Sequence, residues 1–81
     1  MTENERMTEN ERTILEAMRA GGLNSPGTAA PVGEIAERSG LSEQTTGHYL
    51  YVRGRLMTTG AVRRVRLEGE RYWRHYVSDP A

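Results

Sequence analysis

The stretch from Pro31 to Val62 constrains this chain more than any other. Pro31 suits the first turn of a helix, where its missing N–H costs nothing. In Val32-Gly33-Glu34-Ile35-Ala36-Glu37-Arg38-Ser39 the residues Val32, Ile35, Ala36 and Ser39 recur at helical spacing. Gly40 can then take a positive φ, Leu41 can fill the core beneath the turn, and Ser42 can cap a second helix, with Thr45 three residues on. Two helices joined so tightly must cross, and small Ala36 suits the crossing point.

The second of these helices is expected over about 42–57. Thr46, Tyr49, Leu50, Arg53 and Met57 line its inner side, flanked by Val52 and Leu56. Its other side shows Glu43, Gln44, Gly47, His48, Tyr51 and Arg55, a face rich in hydrogen-bonding groups. Gly47 costs a helix up to about 1 kcal/mol against Ala, and it leaves room for a close approach from outside. Gly54 opens a bend or an early end near Arg53.

Upstream, residues 1–12 repeat Met-Thr-Glu-Asn-Glu-Arg twice, a unit too short for a repeat architecture. A duplicated N-terminus or an alternative start at Met7 accounts for it. Thr8 and Glu11 have capping-box spacing, so a first helix is expected from Glu9 to Ala20. Ile14, Leu15 and Met18 share its buried face, with Met7 and Glu11 one turn back, and Gly21-Gly22 ends it. The first copy repeats the spacing at Thr2 and Glu5 and either lengthens that helix or stays a tail. A loop turning at Asn24-Ser25-Pro26-Gly27 leads to a short strand at Thr28-Ala29-Ala30.

Downstream, Thr58-Thr59-Gly60 closes the second helix of the pair. Two β-prone runs, 61–67 and 70–77, flank Glu68-Gly69 and read as a hairpin with a two-residue turn. That register sets Val65 opposite Tyr72, Arg64 opposite Trp73 and Arg66 opposite Arg71. Ala61, Val65, Leu67, Tyr72 and Tyr76 then form a core face. Arg64, Arg66, Arg71 and Trp73 form a basic outer face, and the Arg66–Arg71 repulsion favours an anion between them.

Formal net charge is zero, but it is unevenly spread. Residues 1–43 hold eight acids and four arginines, net −4; residues 44–81 hold seven arginines and three acids, net +4. Clustered arginine, with no lysine anywhere, suits phosphate and guanine. Without cysteine there is no disulfide or thiolate metal site, and the two histidines lack ligand spacing. No nucleophile–base set or phosphate loop stands in a supporting context, so the expectation is no enzyme, no metal and no cofactor. No apolar run reaches membrane-spanning length, and a cytoplasmic location is expected.

Together these segments predict a mainly α fold with a small β-hairpin (α+β). The order is helix, short strand, helix, helix, hairpin, a three-helix winged helix-turn-helix, with a tail over 1–8, the domain over 9–77 and a tail over 78–81. The chain resembles the bacterial winged-helix repressors of the ArsR type, with the MarR type close behind. The resemblance rests on Val32-Gly33-Glu34-Ile35-Ala36-Glu37, on Gly40-Leu41-Ser42, and on Thr45, His48, Leu50 and Val52. It continues through Gly60-Ala61-Val62, Arg63-Arg64, and Glu68-Gly69 with Arg71 and Tyr72, and covers about 12–77. It departs in about three extra residues around Arg55-Leu56-Met57, in lacking the family's cysteine metal ligands, and in lacking a C-terminal dimerisation helix.

The resemblance implies a small transcriptional regulator binding double-stranded DNA in sequence-specific fashion. It sets Gln44, Thr45, Gly47 and His48 at the major groove and Arg64, Arg66 and Arg71 on the wing along phosphates. Ser42, Glu43 and Tyr51 are further candidates for DNA contact, and Arg53 or Arg55 is expected to hold a phosphate. A homodimer through the first helix is expected; metal-controlled effector binding does not follow. The alternatives are a winged-helix protein-interaction module that binds no DNA, and an architectural or phage-type DNA-binding factor.

Overall fold

In the computed structural model, which describes residues 8–51 and 53–78, helix α1 (Glu9–Ala20) starts at a complete capping box. Thr8 Oγ1 accepts from the Glu11 N–H at 3.1 Å, and Glu11 Oε1 accepts from the Thr8 N–H at 2.8 Å. The first hexapeptide copy with its Thr2–Glu5 spacing, Met7, Val52, and residues 79–81 lie outside the described residues.

Ile14, Leu15 and Met18 of α1 are buried as expected. They pack with Leu23, Ile35, Leu50, Leu56, Val62 and Val77 in one core. Glu11 is also buried, at 4% exposure, because its carboxylate serves the cap and stands 3.8 Å from the Arg55 guanidinium.

After α1 the chain enters a 3-10 turn (Pro26–Thr28) rather than the strand expected at Thr28-Ala29-Ala30. Thr28 Oγ1 accepts from the N–H groups of Asn24 and Ser25, both at 3.1 Å, and this folds Thr28 back into the loop. The strand, β1 (Ala30–Pro31), comes later and is only two residues long. Pro31 therefore caps α2 (Val32–Ser39) from an extended conformation instead of occupying its first turn. Gly40, at φ 76°, ends α2 in the left-handed region, where a side chain costs about 1–2 kcal/mol. Ser42 Oγ then caps α3 (Glu43–Tyr49), accepting from the Thr45 N–H at 3.0 Å. The first helix of the pair, the left-handed Gly40 and the Ser42 cap fall where expected.

The expected helix over about 42–57 is not continuous. It stops at Tyr49, and a separate short helix, α4 (Arg55–Thr58), follows. Gly54 is extended, at φ −74° and ψ 162°. A β-carbon there would stand 3.1 Å from the Tyr51 carbonyl oxygen and 3.2 Å from that of Tyr49, so only glycine fits comfortably. The break also serves the core. On an unbroken helix Leu56 would point roughly 120° away from Leu50, yet both are buried in the same cluster.

The hairpin strands are β2 (Val62–Val65) and β3 (Arg74–Val77), each four residues and shorter than expected. Among the described residues the sheet is antiparallel with order β1-β3-β2, so the last strand lies in the middle. The pairs are Val62 with Val77, Arg63 with Tyr76, Arg64 with His75 and Val65 with Arg74. This register differs by two residues from the expected one, and residues 66–73 form a long tip. Leu67 to Glu70 makes the turn, closed by the Glu70 N–H to Leu67 carbonyl bond at 3.1 Å. The Arg74 guanidinium clamps the tip, with Nε donating to Glu70 Oε1 at 3.0 Å and Oε2 at 3.1 Å.

The core face is also inverted from the expectation. Val62, His75 and Val77 face inward and are buried, while Leu67 and Tyr72 are each 48% exposed and Ala61, Val65 and Tyr76 are only partly covered. Arg66 and Arg71 both lie in the tip and are not a ladder pair, so the expected like-charge clash does not arise. One backbone bond ties β3 to a distant loop, the Val77 N–H to the Leu23 carbonyl at 2.7 Å, and the Ser78 N–H to Ala61 carbonyl bond at 3.1 Å continues the β2–β3 pairing by one residue.

Candidate nucleic-acid interface

Pairing sets which side chains share a face. The row Ala30–His75–Arg64 crosses the sheet on the same side as the buried Val62–Val77 pair. Trp73, two residues before His75, follows this row toward the tip. Arg64 and Trp73 thus extend the core face outward instead of backing onto solvent, as the expected outer face required. There the Arg64 guanidinium sits 4.0 Å from the Trp73 ring centre and that of Arg66 sits 4.9 Å from it. Stacking a cation on an indole face holds both long side chains near one place. No ion pair among the described residues involves Arg64 or Arg66.

Opposite this stack stands α3. Between them lies an open groove of about 570 Å³, floored by His75 and Leu50 and walled by Val32, Gly47, Tyr51 and Tyr72. Glu43 stands at its rim, its carboxylate 3.6 Å from where a β-carbon on Gly33 would lie. That places a negative charge at the first turn of α2, whose cap Pro31 supplies no side-chain acceptor.

His75 is 5% exposed, and its Nδ1 has no hydrogen-bond partner among the described residues. Burial, and secondarily the nearby Arg64 charge, push its pKa down to about 4. The ring is therefore neutral at pH 7. Thr46, fully buried on the inner side of α3, likewise has an unpartnered Oγ1.

Comparison with protein-family models, curated proteins and solved structures finds no match to this chain.

The expected site residues divide into groups. Glu43, Gly47, Tyr51 and Arg64 converge on the groove. Ser42 and Gln44 are exposed at the start of α3, while Thr45 is half-buried and bonded to Ser42 through its hydroxyl at 2.9 Å. His48, Arg53 and Arg55 line a second, smaller depression of about 350 Å³ beside Thr8 and Glu11, on the α1 side of α3. His48 meets the Tyr49 ring edge-on at 5.4 Å. Arg55 is engaged by Glu11 and so contributes to joining α4 to α1. Arg71 is exposed in the tip, apart from the groove lining.

Val32, Tyr72, Trp73 and His75 line the groove but were not among the expected site residues. Trp73 carried a visible signal, an aromatic flanked by arginines. His75 carried none, because its position depends on β1 and β2 both pairing with β3.

Proposed function

We propose that this chain is a winged helix-turn-helix protein that binds double-stranded DNA, with α3 presented to the major groove and the 66–73 tip serving as a wing. One observation carries the reading. The capped, polar start of α3 (Ser42, Glu43, Gln44) is exposed beside a hairpin whose Arg64 and Arg66 are stacked on one tryptophan and bear no ion pair among the described residues. Short polar side chains at a helix start suit base edges, and prepositioned guanidinium groups suit phosphates. At seven residues, α3 offers about two turns, so base contacts come from residues 43–48 and the arginines supply most of the affinity. Regulation of transcription and a homodimer on a two-fold site belong to the same reading.

Binding to mixed-sequence duplex DNA across a salt series tests it. With three arginines (Arg64, Arg66, Arg71) on phosphates, log affinity falls against log salt with a slope of about −3. Arg64→Ala and Arg66→Ala each reduce that slope by about 1. No duplex binding at low salt would refute the reading.

A second reading is a protein-interaction module without DNA binding. It is favoured by the exposed apolar surface at Tyr51, Leu67 and Tyr72 and by zero net charge.

A further inference from the structure

The groove between α3 and the hairpin has a shape and chemistry that a duplex surface does not use. A base pair inside a stack offers an edge, whereas this open groove is lined by aromatic rings and a guanidinium. Its volume of about 570 Å³ falls within the range of small-ligand sites. The Arg64 guanidinium, 4.0 Å from the Trp73 ring centre, forms one platform, and exposed Tyr72 and Tyr51 also line the groove. Guanidinium planes and aromatic rings are the surfaces on which unstacked bases are held. Arg66 lies on the same tryptophan, positioned for the phosphate attached to such a base.

The groove also carries a group able to read a base edge. Glu43 is at the rim as an acceptor, and a carboxylate accepts from an exocyclic amino group such as cytosine N4. His75 forms part of the floor, but its Nδ1 is buried, so the edge is read by Glu43. The second depression, beside Thr8, lacks such a stack, and Arg55, one of its two arginines, is engaged by Glu11.

We infer that this groove binds one unpaired nucleotide of a DNA strand. The base stacks on the outer face of the Arg64 guanidinium, which Trp73 backs, the phosphate meets Arg66, and Glu43 selects bases bearing an amino group over thymine. This goes beyond duplex binding and does not depend on it.

Trp73 is the single tryptophan of the chain, so its fluorescence reports the site directly. The intact protein is titrated with short oligodeoxycytidylate, oligodeoxythymidylate, deoxycytidine monophosphate and a labelled mixed duplex, whose binding is followed separately by anisotropy. Oligodeoxycytidylate is expected to quench Trp73 and to bind roughly five- to tenfold more tightly than oligodeoxythymidylate. Glu43→Gln is expected to erase that preference while quenching persists, because an amide both donates and accepts. Arg64→Ala, its fold checked by circular dichroism, is expected to lose most of the binding. The duplex, which meets Arg64 and Arg66 from outside the groove, is expected to quench Trp73 less than the single strand does. The inference is overturned by no response to either single strand, by equal quenching from the duplex, by free monophosphate binding as tightly as the strand, or by a base preference unaltered in Glu43→Gln. Because duplex binding is read by a separate signal, these outcomes leave the winged-helix reading independently tested.

Discussion

His75 occupies the centre of the sheet, between Ala30 and Arg64, and its neutral ring belongs to the folded state. Its pKa is pushed down to about 4 from 6.5, by burial first and by the Arg64 charge second. The unfolded chain therefore takes up a proton that the folded chain refuses. Stability is undiminished by this residue above about pH 6.5, falls as pH drops below it, and has lost the full contribution below about pH 4. The whole shift corresponds to at most about 3 kcal/mol, a large share of the total for a domain of this size. Denaturant midpoints measured at pH 7.5 and pH 4.5 should fall more for the native protein than for His75→Phe. Equal falls would mean that the imidazole does not govern the window. Nothing in the sequence around His75 distinguished it from a solvated histidine, because its burial is set by strands that are distant in the chain.

At the scale of elements, local chemistry was legible and long-range pairing was not. Thr8, Glu11 and Gly21-Gly22 bound α1 through neighbours within four residues, and the α2–turn–α3 unit follows from Gly40 and Ser42 in the same way. The hairpin turn was legible, since Glu68-Gly69 are the central pair of the turn from Leu67 to Glu70. What misled was the register, because the ladder starts only at Val65 and Arg74, two residues off, and the Arg74–Glu70 contact and the tryptophan stack support a longer tip. Apolar residues alternate on both sides of this hairpin, so alternation alone could not choose between Val62 and Val65 as the inward residue. The break after α3 turns on Gly54. Gly54→Ala should cost about 1–3 kcal/mol, since its β-carbon meets two carbonyl oxygens at 3.1 and 3.2 Å. Gly47→Ala, whose β-carbon would meet only Val32 at 3.7 Å, should instead gain up to about 1 kcal/mol. Urea denaturation of the pair checks this, and matching effects would disprove a steric role for Gly54.

For the molecule as a whole, α1 has spent its apolar residues on the core and presents Glu9, Arg12, Glu16 and Arg19 outward. A dimer through α1 would therefore meet through exposed charged side chains and not through apolar ones. Exposed ion pairs contribute little each, so such a dimer should be weak and salt-sensitive. Sedimentation should show a monomer–dimer equilibrium that shifts to monomer with added salt or on Glu16→Arg. A salt-insensitive dimer would point to another surface, with the exposed Leu67 and Tyr72 the first place to look.

The middle strand of the sheet is the last to be made. While a nascent chain is still short of Arg74, neither Ala30–Pro31 nor Val62–Val65 has an edge to join, and Leu23 lacks the amide of Val77 that its carbonyl accepts. The helices can form on the ribosome as they emerge, but the sheet closes over them only in a late step, once β3 has cleared the exit tunnel. Until that moment Val62 and its neighbours are open to chaperones, and a message cut short before codon 74 yields a chain without a sheet.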